Sequence, residues 1–280
     1  MSRRRWTRRW ATLAIALVLA LAWAVPLLWV VSSTFKPQQE IVGPERRWLP
    51  AGPTLDHWRN IADPQGRAVG VGRAFANSVV VALISTFSTL ATSSLAAYAF
   101  ARLRFRGREA LFGVLLATMM IPNEVILVPL FLQFHRLELL NSYAALILPH
   151  AISVLGVFLL RQFMLGIPSD LIDAAAIDGA GAFRIYRHVV LPLTRPAMAT
   201  LSVFAFLGSW NDFLWPLIVV NTPDKQTLPL ALITFRSAYQ MLDYGTVLAA
   251  TLVAVAPPLL FFVFAQRYVI AGISRTGLKG

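Results

Sequence analysis

Residues 74–101 read AFANSVVVALISTFSTLATSSLAAYAFA, a run with no charged side chain between Arg73 and Arg102. A helix rises about 1.5 Å per residue, so roughly 20 apolar residues cross the 30 Å hydrocarbon core of a bilayer. The run is long enough to do so and reads as a transmembrane helix. The composition of the whole chain agrees. Of its 280 residues 57% are hydrophobic and 14% charged, with mean hydropathy +0.65. A soluble domain carries about 25% charged residues, so polar side chains are too few here to cover a water-facing surface.

Similar uncharged intervals lie on both sides. Ala11 to Val31 falls between Arg9 and Lys36, Ala110 to Phe134 is broken only by Glu124, and a fourth runs from about Ser142. Ala197 to Val220 encloses Asp212, and the last interval separates Asp243 from Arg267. The predicted spans are about 11–32, 74–101, 110–134, 142–163, 197–220 and 245–268. The fold class is therefore all-α, a polytopic membrane protein of six helices forming one domain over residues 1–280. The first apolar run follows Arg3, Arg4, Arg5, Arg8 and Arg9, as in a signal peptide, and Ala22-Trp23-Ala24 resembles a cleavage site. It is longer than a signal h-region of about 7–15 residues, and five spans follow, which favours an uncleaved anchor.

Basic residues near the ends of spans mark the cytoplasmic side. With the N-terminus inside, the inner segments hold sixteen of the 25 lysines and arginines, including Arg102, Arg104, Arg106 and Arg108, and the outer segments nine. Both termini are predicted cytoplasmic. The outer loop, residues 33–73, is rich in Pro and Gly, contains Trp48 and Trp58, and is too short for a separate domain. It is expected to be irregular chain with a short helix. The net charge of +12 does not point to nucleic acid, because the arginines sit in short clusters between apolar runs. Cysteine is absent, which removes disulfides, thiol nucleophiles and thiolate metal sites.

The connection over residues 167–196 is neither short nor polar. Pro168 with Ser169 or Asp170 reads as a helix start, and Gly179 as its C-cap. A second short helix fits Ala182 to Val190, with Phe183, Tyr186 and Val190 on one face and Arg184, Arg187 and His188 largely off it. Pro192 is expected to stop that helix and Pro196 to start the next span. Neither helix is long enough to cross a bilayer. The pair reads as a helix–turn–helix with a small, alanine-faced tip suited to close approach by another surface. An amphipathic loop lying on the headgroups is the alternative; it accounts for the aromatic face but not for the Ala-Ala-Ala and Gly-Ala-Gly runs.

Asp173-Ala174-Ala175-Ala176-Ile177-Asp178-Gly179-Ala180, followed by Val190-Leu191-Pro192, resembles the EAA loop of ABC-importer permeases. That family has Glu-Ala-Ala, then Asp-Gly-Ala, then Ile/Val-Leu-Pro. Asp173 stands where the family usually has Glu, which keeps the charge and shortens the reach by one methylene. Arg161-Gln162-Phe163, Ile167-Pro168, Ile121-Pro122, Asn141-Ser142-Tyr143, Leu146-Ile147-Leu148-Pro149, Trp210-Asn211-Asp212 and the Gly277-Leu278-Lys279-Gly280 terminus are similar to the sugar-permease branch. This is the maltose-system G-subunit-like class, whose members import mono- and oligosaccharides or glycerol phosphates. The resemblance implies a homologous second permease subunit, two ATPase subunits carrying ATP and Mg, and an extracytoplasmic solute-binding protein. It also implies a cytoplasmic coupling helix between the fourth and fifth spans. Asp173, Ala174, Ala175, Ile177, Asp178, Gly179 and Ala180 would form that contact, with Asp173 and Asp178 for polar contact or capping and Ala174, Ala175 and Ala180 as the knob. No phosphate-binding Gly-x-x-x-x-Gly-Lys-Ser/Thr occurs in the chain, so nucleotide belongs to a partner and no cofactor to this subunit.

Polar groups inside spans are costly and point to function. Asn123 and Glu124 follow Pro122, and Trp210, Asn211 and Asp212 lie in the fifth span; these are the candidate translocation path. For Glu124 the alternative is an interfacial or subunit contact at the Pro122 break, and for the tryptophan an interfacial anchor. His57, His135, His150 and His188 are scattered, so no metal site is expected, and no motif positions a catalytic set. The rival readings are an ion-gradient-driven secondary transporter, which would usually show repeated halves and broken helices, and a membrane enzyme, which needs paired catalytic groups.

Overall fold

A computed structural model describes residues 2–44, 47–62, 70–238 and 243–276. The Gly277–Gly280 terminus, Glu45, Arg46, Asp63 and Arg67 lie outside the described residues. Among the described residues every regular element is helical. The chain separates into two compact units, one of Met1–Gly72 with Leu232–Val255, the other of Arg73–Ala231 with Ala256–Gly280.

The first unit carries α1 (Ser2–Ser33), α2 (Gln38–Val42), α3 (Asp56–Ala62) and the start of the last helix, Tyr244–Thr276. The most apolar part of Thr12–Ser33 in α1 has no buried residue, as suits a helix whose solvent is lipid or a partner helix, and only Ser33 at its end is buried. Among its described residues the expected outer loop, 33–73, contains two short helices rather than one. They are held by a buried polar knot around His57. Its Nδ1 lies 3.0 Å from Asp243 Oδ1, and its Nε2 donates to the Lys36 carbonyl at 2.9 Å. Asp243 also accepts the Thr246 N–H at 3.0 Å, capping the first turn of the last helix. The His57 ring packs directly on Gly245, where a Cβ would collide with it.

The second unit is organised by α4 (Val71–Arg102), 32 residues without an internal proline. Around it the chain is repeatedly broken. The helix α5 (Arg108–Ala117) runs into a 3₁₀ turn, Thr118–Met120, and then turns through 100° into α6 (Asn123–Arg136). Further on, α7 (Tyr143–Ile147) and the turn Leu148–His150 bend by 40° into α8 (Val154–Leu165). After α9 (Ser169–Ile177), a continuous helical stretch comprises α10 (Ala182–Ile185), a π turn (Tyr186–Val190) and α11 (Leu191–Leu193). It bends by 78° into α12 (Arg195–Trp210). Short α13 (Leu214–Val219), α14 (Leu228–Ala238) and α15 (Tyr244–Thr276) complete the chain.

Among the described residues three helices, Thr12–Ser33, Val71–Arg102 and Tyr244–Phe264, are long and apolar enough to cross a membrane unaided; three bent pairs reach that length only together. Residues 110–134 were expected as one span and are two helices. Pro122 has no N–H and disfavours helix at Ile121, which is extended at φ −87°, ψ 117°, so one helix ends and Pro122 caps the next. The expected fifth span, 197–220, is interrupted at Asn211, Asp212 and Phe213. Pro192 does not stop the second loop helix. It follows directly on the π turn, whose wider i→i+5 geometry displaces the carbonyls that a proline ring would strike in a regular α-helix. The break falls at Thr194, whose N–H and hydroxyl both donate to the Val190 carbonyl at 3.0 Å.

Each break frees carbonyls that must find donors away from water, and α4 supplies many of them. Thr89 Oγ1 donates to the His150 carbonyl, Thr92 Oγ1 to Ala151 at 2.7 Å and Ser93 Oγ to Ser153 at 3.3 Å. At its other end Asn77 donates to the carbonyls of Asp224 and Gln226. Close approach is secured by Gly156 of α8, where a Cβ would stand 2.8 Å from Ser93 Oγ and 3.0 Å from the Leu201 methyls. Among the described residues two apolar clusters lie in this unit. One contains Tyr98, Leu160, Met164, Tyr186 and Val190, the other Phe134, Leu146, Trp215 and Val219.

Candidate functional site

Three of the breaks open onto one cleft of about 680 Å³. Asn123 and Glu124 enter it from the first turn of α6, His150 from the turn before α8, and Asn211 and Asp212 from the unwound residues after α12. A helix that stops presents polar side chains and backbone without a ladder partner, so polar groups gather where the helices end. Asp212 Oδ2 accepts from His150 Nε2 at 3.0 Å, and its Oδ1 accepts the Trp215 N–H at 3.4 Å. The Trp215 indole N–H donates to the Ala145 carbonyl at 2.8 Å, which fixes its ring at the cleft wall. An adjoining cavity of about 640 Å³ shares Asn123, His150 and Gly208 and adds Thr89, Thr118 and Ser153. The walls are otherwise apolar, from Ile126, Leu127, Leu130, Leu207 and Leu214. Such a surface offers hydroxyl-rich solutes several hydrogen-bond partners.

The structure thus brings together Asn123, Glu124, Asn211 and Asp212 of the expected path, but not Trp210. That residue is 2% exposed, stacked on Phe206 and edge-on to Phe75. At about 100° per residue it falls on the side of α12 opposite Gly208, which does line the cleft. Trp215, the other tryptophan flanking Asn211 and Asp212, lines the cleft but is itself 5% exposed and edge-on to Phe134. His150 went unread among scattered histidines. The rule that singled out Glu124 and Asp212, an ionisable group in an apolar run, applies to it equally. No group of three or more His, Asp or Glu side chains among the described residues could hold a metal ion.

The loop after α8 is the second candidate site. As expected, Gly179 closes α9: it holds φ +77°, its N–H donates to the Ala176 carbonyl and that of Ala180 to Ala175, both at 3.0 Å. These two bonds are the paired closure of a Schellman motif. Asp178 is the C-cap, and Pro168 precedes the first helical residue, Ser169. Ile172, Ala175 and Ala180 pack inward against the Tyr98–Val190 cluster. Leu171, Asp173, Ala174, Asp178 and Gly179 are exposed, and Ile177 is 86% exposed. Of the proposed alanine knob, only Ala174 therefore points outward. On the second loop helix Tyr186 and Val190 are buried as expected, while Phe183 is 66% exposed and Ile185 takes its place in the core. Arg184, Arg187 and His188 are exposed.

Comparison with known proteins follows the same lines. Residues 89–275 match the family described as binding-protein-dependent transport system inner membrane component. The chain is 37% identical over 257 residues to the arabinooligosaccharides transport system permease protein AraQ of Halalkalibacterium halodurans, covering 91% of each. It is 36% identical over 277 residues to the diacetylchitobiose uptake system permease protein NgcG of Streptomyces coelicolor, covering 96% of this chain and 89% of that one. A bacterial ABC transporter involved in the import of the acidic polysaccharide alginate contains a chain that superposes with TM-score 0.80 at 21% identity, over 96% of this chain and 99% of that one. The alginate transporter in complex with an alginate-pentasaccharide-bound periplasmic protein gives TM-score 0.62 at 17% identity, covering 94% of this chain and 95% of that one. The chain belongs to the binding-protein-dependent transport system inner membrane component family, as a permease of the sugar ABC-transporter class. Its named relatives are permease subunits, not enzymes.

Proposed function

We propose that this chain is one of two permease subunits in an ATP-driven importer of a sugar or short oligosaccharide, seated in the bacterial plasma membrane with both termini in the cytoplasm. A homologous subunit completes the pathway, two ATPases bind ATP and Mg below it, and an extracytoplasmic binding protein delivers the solute. The periplasmic protein bound to the alginate transporter supports that last partner by analogy of fold. Family membership favours the ATP-driven reading over the ion-gradient one.

The observation that carries the coupling assignment is the exposed tip of α9, closed by Gly179 and presenting Ile177 almost fully to solvent. An apolar side chain held out on a loop fits a partner's groove. Asp173, Ala174, Asp178 and Gly179 surround it, while Ala175 and Ala180 support it from behind. The cleft carries the translocation assignment. Its polar groups are amides, an imidazole and two carboxylates, and no lysine or arginine is among its lining residues. A glycerol phosphate would find no lysine or arginine there, which favours a sugar as the cargo of this half of the pathway.

Purification of the chain from its native membrane in mild detergent, with mass spectrometry of its companions, tests the reading. A second permease and an ATPase with a phosphate-binding motif in near-stoichiometric amounts are expected. Recovery of this chain alone, folded and binding solute, would overturn it.

A further inference from the structure

We propose that Ser94, Tyr98 and Arg102 are positioning residues that fasten the coupling loop to α4 and make that helix the lever through which loop movement reaches the cleft. The proposal rests on the coupling reading above. The three residues are four apart and share one face of the helix. Ser94 Oγ and the Tyr186 hydroxyl, both buried, are 2.8 Å apart. The Tyr98 hydroxyl donates to the Ala182 carbonyl at 2.9 Å, and its ring lies 5.2 Å from that of Tyr186. The Arg102 guanidinium donates to the carbonyls of Met164 and Ile167, at the end of α8. One helix face therefore grips the loop on both sides of its tip, at the α8–α9 junction and on the second loop helix.

Apolar packing contributes to this hold. The surrounding cluster of Ala97, Ala101, Ile167, Ile185 and Val190 is incompressible and passes on pressure from the loop. Hydrogen bonds are directional and act in tension as well as in compression, so they hold register when the loop is drawn away and when it returns. The lever itself is suited to the task. Among the helices long enough to cross a membrane unaided, α1 and α15 contain prolines and α4 does not. Further along the same helix Thr89 holds the His150 carbonyl, and His150 is paired with Asp212 in the cleft. The loop and the cleft are thus attached to one stiff element.

The test uses the complete importer, with its sister permease, ATPases and binding protein, in liposomes. This chain has no cysteine, so in an otherwise cysteine-free complex a single Ile126→Cys in the cleft wall reports access by its labelling rate with N-ethylmaleimide. Rates are compared without nucleotide and with ATP plus vanadate, alongside ATP hydrolysis and thermal midpoint. With α4 intact, ATP and vanadate are expected to change labelling at least fivefold. Tyr98→Phe with Ser94→Ala, and separately Arg102→Gln, should cut that change below twofold while the ATPases still co-purify; Arg102→Lys should recover more than half of it. Ladder variants that keep the full change overturn the proposal, and so does a lower thermal midpoint with the labelling change intact, which marks a purely structural hold. Ile177→Asp in the same assay separates the two readings. If it leaves labelling and ATPase attachment untouched, the coupling reading falls and takes the proposal with it; if it abolishes the change while the ladder variants do not, only the ladder falls.

Discussion

Replacing Gly179 by alanine perturbs one backbone angle and almost nothing else. The residue holds φ +77°, and a Cβ built there meets nothing within 4 Å. No contact is lost or forced, so the penalty is that of the left-handed conformation, about 1–2 kcal/mol for an alanine. At about 1.4 kcal/mol per tenfold, the closed end of α9 becomes roughly 5- to 30-fold less populated against its open forms. The amides of Gly179 and Ala180 are the groups that closure protects, each bonded at 3.0 Å. Hydrogen exchange at those two amides in the purified complex should rise by that factor, with uptake falling in parallel at unchanged membrane abundance. Gly179→Asn should show a smaller effect on both, because asparagine tolerates the left-handed region. Gly179→Asp adds a negative charge beside Asp178 and should uncouple transport while leaving the membrane helices inserted. Unchanged exchange in the alanine variant, or equal losses for alanine and asparagine, would refute the backbone argument.

Gly156→Ala should lower the thermal midpoint in detergent through about 1–3 kcal/mol of overpacking against Ser93 and Leu201; an unchanged midpoint would mean the helices are not in such close contact. Asp212→Ala leaves His150 and the Trp215 N–H without their acceptor, a loss of about 1.5–3 kcal/mol for a charge-assisted bond. Maximal uptake should fall further for Asp212→Ala than for Asp212→Asn, and equal losses would argue against the pair organising the cleft. Gly245→Ala drives a methyl into the His57 ring and should reduce the yield of folded protein, with His57→Ala in the same chain recovering part of it. Failure of that second substitution to help, as read by size-exclusion chromatography, would place the fault elsewhere.

How much the sequence reveals depends on the range of the forces involved. The run 74–101 is legible because a continuous apolar helix is a local property, and Gly179 because a helix end needs one residue at positive φ. Ile121-Pro122 carries a local signal too, yet in an apolar stretch it is equally compatible with a kinked span; only the packing around it decides on a 100° turn. Pro192 misleads for the opposite reason, since the π turn before it absorbs the clash that a proline normally announces. The His150–Asp212 pair joins residues 62 apart and depends on two separate helix breaks facing one space. The exchange of Phe183 for Ile185 in the core likewise follows from the altered helical phase of that stretch, which no regular period anticipates.

The hydroxyls of α4 also bear on how cheaply its neighbours can shift. Thr92 Oγ1 lies 2.7 Å from the Ala151 carbonyl and, at the same time, 2.9 Å from the Ser88 carbonyl one turn back on its own helix. A donor placed between two acceptors loses little when one departs. If the chain at Ala151 slides away, Thr92 falls back on Ser88 and no donor is stranded in hydrocarbon, where an unmet polar group costs several kcal/mol. At this one position the cost of a shift therefore falls on the Ala151 carbonyl alone, while the neighbouring Thr89 bond to the His150 carbonyl still holds the cleft to the helix.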